Sequence, residues 1–119
     1  MPQSKTLPKR VAVTLPASPL ISETIARVKW AEAEGYSDAW FADGGAPDSL
    51  TTAAALAAHT QTIRIGVAVT PVFTRTPVVL AATANTLGQV LPGRFIMGLG
   101  ASSQTMMNNW HGIPLEKPV

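Results

Sequence analysis

The sequence predicts an α/β domain with about four parallel strands and three to four helices. Four short runs carry the branched or aromatic residues that suit buried strands: Arg10–Leu15, Asp38–Ala42, Ile63–Thr70 and Arg94–Leu99. Their starts lie 28, 25 and 31 residues apart, which leaves room for a crossover helix in each interval. The composition agrees: 119 residues, 46% hydrophobic and only 13% charged, suffice for one compact domain with a real core.

Each helix has its own signals. After the first strand, Ile21, Ile25 and Val28 fall at helical spacing, and Glu23 and Arg27 pair at i, i+4 on another face. Ser18 or Ser22 is the expected cap and Gly35 the expected stop. After the second strand, Asp48 or Ser49 is the expected N-cap, with Leu50, Ala53, Ala54 and Ala57 as the buried stripe. In the third helix Pro77 stands near the start, where a missing N–H is harmless, and Leu80, Ala84, Leu87 and Leu91 repeat at helical spacing. Pro92-Gly93 then stops it. A unit length near 30 residues matches an eight-fold (β/α) barrel, but an open Rossmann-like or flavodoxin-like sheet has the same periodicity.

Several function classes are disfavoured. The net charge is only +2, and basic residues cluster only at Lys5, Lys9 and Arg10, a weak case for nucleic acid. Without cysteine there is no disulfide framework, thiolate nucleophile or Cys-ligated zinc. No apolar run approaches the roughly 20 residues needed to span a bilayer, so no membrane partner is expected. The basic start before Val11–Leu15 imitates a signal peptide, but Pro16 and Pro19 interrupt it, and a cytoplasmic location is expected. Residues 1–119 read as one domain, with residues 1–9 as a flexible tail.

In an α/β architecture of either kind, function lies at the C-terminal ends of the strands. The loops there are Pro16–Ser18, Asp43–Asp48, Thr70–Thr76 and Gly100–Gln104, all rich in turn-forming residues. Each alone reads as an ordinary strand-to-helix turn; four on one rim favour a shared site. Gly98-Leu99-Gly100-Ala101-Ser102-Ser103 is the strongest local signal, because glycines permit close ligand approach and serine hydroxyls can bind a phosphate or ring carbonyl. It lacks the third glycine of a dinucleotide fingerprint, since position 103 is serine. Asp43, directly after Trp40-Phe41-Ala42, is expected to face a polar cavity or ligand, or else to form an N-cap or Asx-turn. Arg75 is placed to meet an anionic ligand, and Arg94, opening the fourth strand, belongs to the opposite, stabilising face. His59 reads as a complement to a helix C-terminus and His111 as a residue bordering a site. Two distant histidines make a poor metal set, no G-x-S-x-G elbow occurs, and Met106-Met107 read as packing residues.

The stretch from Gly66 to Ala81 (GVAVTPVFTRTPVVLA), then Thr86-Leu87, then Leu91 to Ser103 (LPGRFIMGLGASS), resembles the luciferase-like monooxygenase superfamily, nearest its deazaflavin branch. The closing run Asn109 to Pro118 also resembles the family's loop after the fourth strand. The resemblance implies the N-terminal half of a TIM (β/α)8 barrel that holds coenzyme F-420, a deazaflavin, or FMN across its strand ends. Hydride or oxygen chemistry on a small organic substrate would follow. It further implies that Asp43 lies beside the ring, that a third-strand bulge with a non-proline cis peptide near Val67-Ala68 supports the ring face, and that Gly100, Ala101, Ser102 and Ser103 reach the cofactor's phosphate or polar tail. Asp43, Val67, Ala68, Thr70 and Gly100–Ser103 are thus the expected cofactor-binding residues, with no metal. Several deazaflavin relatives carry His after the second-strand Asp, whereas this chain has Gly44, so no catalytic residue is assigned. The acidic residue common after T-L is replaced by Gly88. Half a barrel exposes its first and fourth strands as edges, which invites homo-oligomers. The alternatives are a catalytically incomplete half-barrel needing a partner chain, or a small non-catalytic flavin or nucleotide binder.

Overall fold

The structure, a computed structural model, describes residues 9–16, 18–45 and 47–117. Strands β1 (Ala12–Thr14), β2 (Asp38–Phe41), β3 (Arg64–Pro71) and β4 (Phe95–Gly100) alternate with helices α1 (Ile21–Ala33), α2 (Ser49–Leu56) and α3 (Pro77–Val90). A short helical segment over 104–111 follows, wound as a π-helix across Met106–Trp110. All strand pairs are parallel and the order is β1-β2-β3-β4. That order decides between the two architectures left open by periodicity. A doubly wound sheet reverses direction at a switch point, whereas a barrel adds each strand beside the last. The chain therefore forms half of a (β/α)8 barrel. The expected tail over residues 1–9 lies, apart from Lys9, outside the described residues.

The helices form where expected, but two bury different faces. In α1 the buried residues are Thr24, Val28 and Ala31, while Ile21 is exposed and Ile25 only flanks the core. The small Ala31 lets the helix sit close on the sheet, and Ile21 lies in its first turn, beyond that contact. No side chain caps α1; the Ser18 hydroxyl instead accepts the Leu20 N–H at 3.2 Å and donates to Glu23 at 2.6 Å. Glu23 pairs with Arg27 at 3.4 Å as expected, and Gly35, at φ +87°, ends the helix. In α2 Asp48 is the N-cap, accepting the Thr51 N–H at 2.8 Å and the Thr51 hydroxyl at 2.6 Å. Its buried stripe is Ser49, Leu50, Thr52, Ala53 and Leu56; Ala54 is exposed and Ala57 half-buried, because the larger Leu56 takes the core position. In α3 Thr76 caps, Pro77 follows, and Leu80, Leu87 and Leu91 are buried.

The core fills the space between the helices and one face of the sheet. Ala39 and Phe41 of β2, with Ile65 and Val67 of β3, meet Val28, Ala31, Leu50, Ala53, Leu56, Leu87 and Leu91. The other face carries Trp40 over Gly66, where a Cβ would lie 2.5 Å from the indole. Alternation breaks once. Val67 pairs with Met97 and Thr70 with Leu99, so β3 spends three steps where β4 spends two. The extra residue keeps Ile65, Val67 and Thr70 on the helix-covered face and turns the Ala68-Val69 step outward; Ala68 and Val69 are exposed. The Ala68-Val69 peptide is cis. The expected bond was one residue earlier.

Glycines in β4 accommodate this bulge. A Cβ on Gly98 would sit 2.6 Å from the Val67 carbonyl oxygen, and one on Gly100 2.6 Å from a Val69 methyl. The room expected for a ligand at these glycines is thus taken by β3 itself.

Charges close the N-terminal end of the sheet. Arg94 donates to the Thr60 hydroxyl at 3.0 Å and the Ile63 carbonyl at 2.9 Å, confirming its place on the stabilising face. The Glu32 carboxylate accepts the N–H groups of Gln61, Thr62 and Ile63, each at 2.9 Å, tying α1 to the start of β3. Asp38, buried at the start of β2, pairs with Arg64 and with Arg10.

Two expected outcomes follow from these contacts. Gly98→Ala should lose about 1–3 kcal/mol in urea unfolding, the usual cost of overpacking against a backbone atom. Gly100→Ala should lose less, because the Val69 side chain can turn, and Gly44→Ala, with nothing within 4 Å, marks the baseline. At Glu32, burial raises the carboxyl pKa, but the N–H donors of Ile63, Thr62 and Gln61 and the charge of Arg94 outweigh it, so the group stays below its ordinary value. The folded chain then holds Glu32 ionised to lower pH than the unfolded chain does. Its stabilisation is complete at neutral pH, shrinks as pH drops below the ordinary glutamate value of about 4.3, and vanishes below the lowered one. Glu32→Gln should cost about 1 kcal/mol at neutral pH and flatten that acid slope, measured as unfolding midpoint against pH.

Candidate functional site

The loops after β2 and β3 meet at the C-terminal rim. Trp40-Phe41 ends β2 in the sheet and delivers Asp43 just beyond it, with its side chain only 8% exposed. A carboxylate so enclosed needs a partner, and Arg75, beyond β3, donates to it at 2.9 Å. The second arm of the same guanidinium donates to Asp48 at 2.8 Å. Asp48 thus caps α2 with one oxygen and holds Arg75 with the other. Burial raises the Asp48 carboxyl pKa, but the Thr51 hydroxyl and N–H and the charge of Arg75 bring it below the ordinary value. Of the readings open for Asp43, the N-cap falls to Asp48, while Asp43 itself faces a polar pocket. Arg75, expected to meet an anionic ligand, is instead held by two carboxylates of the chain itself.

This cluster borders a pocket of about 210 Å³ lined by Asp43, Gly45, Asp48, Pro71, Thr74, Arg75 and His111. His111 comes from the helical segment after β4, so three strand-end loops share the pocket. His59, in contrast, follows α2 far from the rim residues in the fold, on an exposed turn. Among the described residues no group of three His, Asp or Glu is placed to hold a metal.

The other expected site residues divide by orientation. Val67 and Thr70 are wholly buried on the helix-covered face, so their side chains do not reach the concave face. The Thr70 hydroxyl has no partner there. Ala68 and Val69 are the β3 residues that the bulge exposes. Val69 was not singled out from the sequence, because only the placement of the bulge reveals it.

Gly100, under Val69, leads into Ala101, Ser102 and Ser103. Ser102 adopts φ +66°, the left-handed region that a serine seldom occupies, and its hydroxyl lies 3.6 Å from the Met106 sulfur. The Ser103 hydroxyl accepts the Met106 N–H at 3.2 Å and so starts the segment carrying His111. Met107, completely buried, anchors that segment, in line with its expected packing role. Gly100–Ser103 are not among the described residues that line the pocket at Asp43; the helical segment that follows them brings His111 to it.

Comparison with known proteins agrees with this geometry. The family model described as luciferase-like monooxygenase matches residues 1–119. A chain from Mycobacterium tuberculosis, named among the coenzyme F-420-dependent oxidoreductases, is 34% identical over 89 residues, 75% of this chain and 26% of its own length. The 5,10-methylenetetrahydromethanopterin reductase of Methanolobus tindarius is 33% identical over 92 residues, 76% of this chain and 28% of its own. Among solved structures, the oxygenating constituent of 3,6-diketocamphane monooxygenase from Pseudomonas putida, determined with FMN, superposes with a TM-score of 0.77 at 20% identity. That superposition covers 88% of this chain and 33% of the other, a likeness of fold. The chain thus spans about a quarter to a third of the length of these three proteins. With its half-barrel order, its bulged third strand and a family match over its whole length, the chain belongs to the luciferase-like monooxygenase family.

Proposed function

We propose that this chain supplies the N-terminal, cofactor-facing half of a flavin- or deazaflavin-dependent oxidoreductase. The observation that carries the reading is the pairing of a fixed carboxylate, Asp43, with the exposed Ala68-Val69 step of β3. The donor set fits such a group. A planar heteroaromatic ring needs an apolar, unobstructed floor and a polar group at its edge. Ala68 and Val69 are apolar and exposed, and Asp43 stands at the rim. In this reading Ala68, Val69 and Asp43 hold the ring. Val67 and Thr70 contribute through their backbone, and Ala101, Ser102 and Ser103 lie nearer the polar tail. Names of relatives point to coenzyme F-420, and the diketocamphane enzyme to FMN. The bound group would supply hydride transfer or oxygen chemistry on a small organic substrate; the chain's own residues bind and orient it. His111 is the ionisable side chain placed to move a proton at the pocket edge, where Gly44 cannot.

A second reading is a half-barrel that is complete only when another segment or chain covers its edges. Exposed apolar residues occur at both: Val11, next to β1, with Trp30 lining the same hollow, and Leu99 within β4. No helix among the described residues is long and apolar enough to cross a membrane.

Titrating FMN and coenzyme F-420 separately into the purified chain, followed by visible difference spectroscopy, tests the main reading. At least one should give a saturable change, weakened about tenfold by Asp43→Asn, equivalent to roughly 1.4 kcal/mol. No change with either at saturating concentration rules out the cofactor site in this chain. Light scattering on the same samples addresses the second reading, against which a cofactor-binding monomer would count.

A further inference from the structure

We infer that Arg75 is a positioning residue, a guanidinium clamp that fixes the Asp43 carboxylate at the rim by fastening the loop after β2 to the loop after β3. The inference rests on the proposed cofactor site for its consequence in binding, but its geometry stands apart from any ligand.

Asp43 lies in a loop between β2 and α2 whose described residues, 42–45 and 47, belong to no helix or strand. Left to itself, such a segment samples many conformations, and ordering it on binding costs affinity. Arg75 removes that freedom from two directions. One arm takes Asp43 at 2.9 Å, and the other takes Asp48 at 2.8 Å, so both ends of the segment are tied to one side chain. Asp48 is itself locked as the α2 N-cap by Thr51. At the other end, Arg75 is held by its own surroundings: the Thr74 hydroxyl accepts from it at 3.3 Å, and Thr74 in turn donates to the Pro71 carbonyl at the end of β3 at 2.9 Å. The planar, five-donor guanidinium suits two carboxylates approached from different sides, whereas a lysine ammonium is a point charge on a flexible stem. Arg75 is only 21% exposed, so its geometry is less open to solvent screening than that of a surface pair.

Two carboxylates face one guanidinium, so Arg75 itself has no charge left over for a phosphate or carboxylate ligand. The pocket is therefore one for the uncharged, hydrogen-bonding part of a ligand, and an anionic tail belongs elsewhere on the rim.

Arg75→Met and Arg75→Lys in the full chain test the clamp by two readouts. The first needs no ligand: backbone 15N relaxation of the free protein. Gly44 and Gly45 should move from order parameters near ~0.85 toward ~0.6 in Arg75→Met, with β2 and β3 amides unchanged, and Arg75→Lys should lie between. The second is titration with FMN and with coenzyme F-420. Affinity should fall about tenfold in Arg75→Met and recover partly in Arg75→Lys. Unchanged loop order in Arg75→Met overturns the clamp, and so does a uniform loss of order across the sheet, which marks a general structural role. If the loop loosens as expected but wild-type chain binds neither compound, the clamp holds and the cofactor reading fails.

Discussion

The close approach of β3 to β4 is the constraint on which the rim depends. Between Val67 and Thr70 the third strand carries one residue more than its partner, and its backbone bends toward β4. Only a strand without side chains at the facing positions can accept it. Gly98 takes the Val67 carbonyl, and Gly100 lies under the Val69 side chain. The glycine run Gly98-Leu99-Gly100 thus shapes the site indirectly: it admits the bulge, and the bulge turns Ala68 and Val69 toward the concave face. Substituting these glycines would act on the exposed Ala68-Val69 step through β3 rather than through a lost contact.

The bulge also sets the start of the third loop. Pro71 closes β3, and the turn after it presents Thr74 and Arg75 to the loop from β2. Asp43 leaves β2 two residues past Phe41, a core residue whose burial fixes the height at which the carboxylate emerges. Two strands fixed by packing therefore deliver opposite charges to hydrogen-bonding distance. Neither loop contains regular structure at that point, so the ion pair is what joins them, with α2's cap as its third anchor.

Much of this was legible in the sequence, for identifiable reasons. Strand and helix existence followed from periodicity and spacing, and Pro77, Gly35 and Asp48 act where their stereochemistry places them. The helix faces are less legible. Alanines at helical spacing mark α2 as amphipathic but do not show that Leu56, off the chosen stripe, would claim the core. Strand order needed coordinates, since barrel and open sheet share one spacing. Within the site, Asp43 and the third-strand segment were marked by position and resemblance. The partner of Asp43 was not, because Arg75 lies 32 residues away and nothing local distinguishes a guanidinium that meets a ligand from one that meets the protein. Val69 escaped for a related reason: a strand read by strict alternation cannot locate a one-residue insertion.

The two ends of the sheet use charge differently, and the difference bears on function. At the N-terminal end each carboxylate is met closely: Glu32 by three backbone N–H groups, Asp38 by two arginines. Their removal would be felt as stability. At the C-terminal end Asp43 and Asp48 share one arginine, and a space of about 210 Å³ remains beside them with His111 at its border. Among the described residues acceptor capacity is left over there, chiefly on Asp43: each carboxylate offers about four lone-pair sites, Arg75 takes one on each, and Thr51 takes two more on Asp48. In the proposed reading, a ligand group with hydrogen-bond donors, such as an N–H or hydroxyl, would complete that set. The surplus of acceptors at the rim is thus the electrostatic counterpart of the apolar floor at Ala68-Val69. Together they describe the surface on which the proposed ring would rest, with Arg75 holding Asp43 in place.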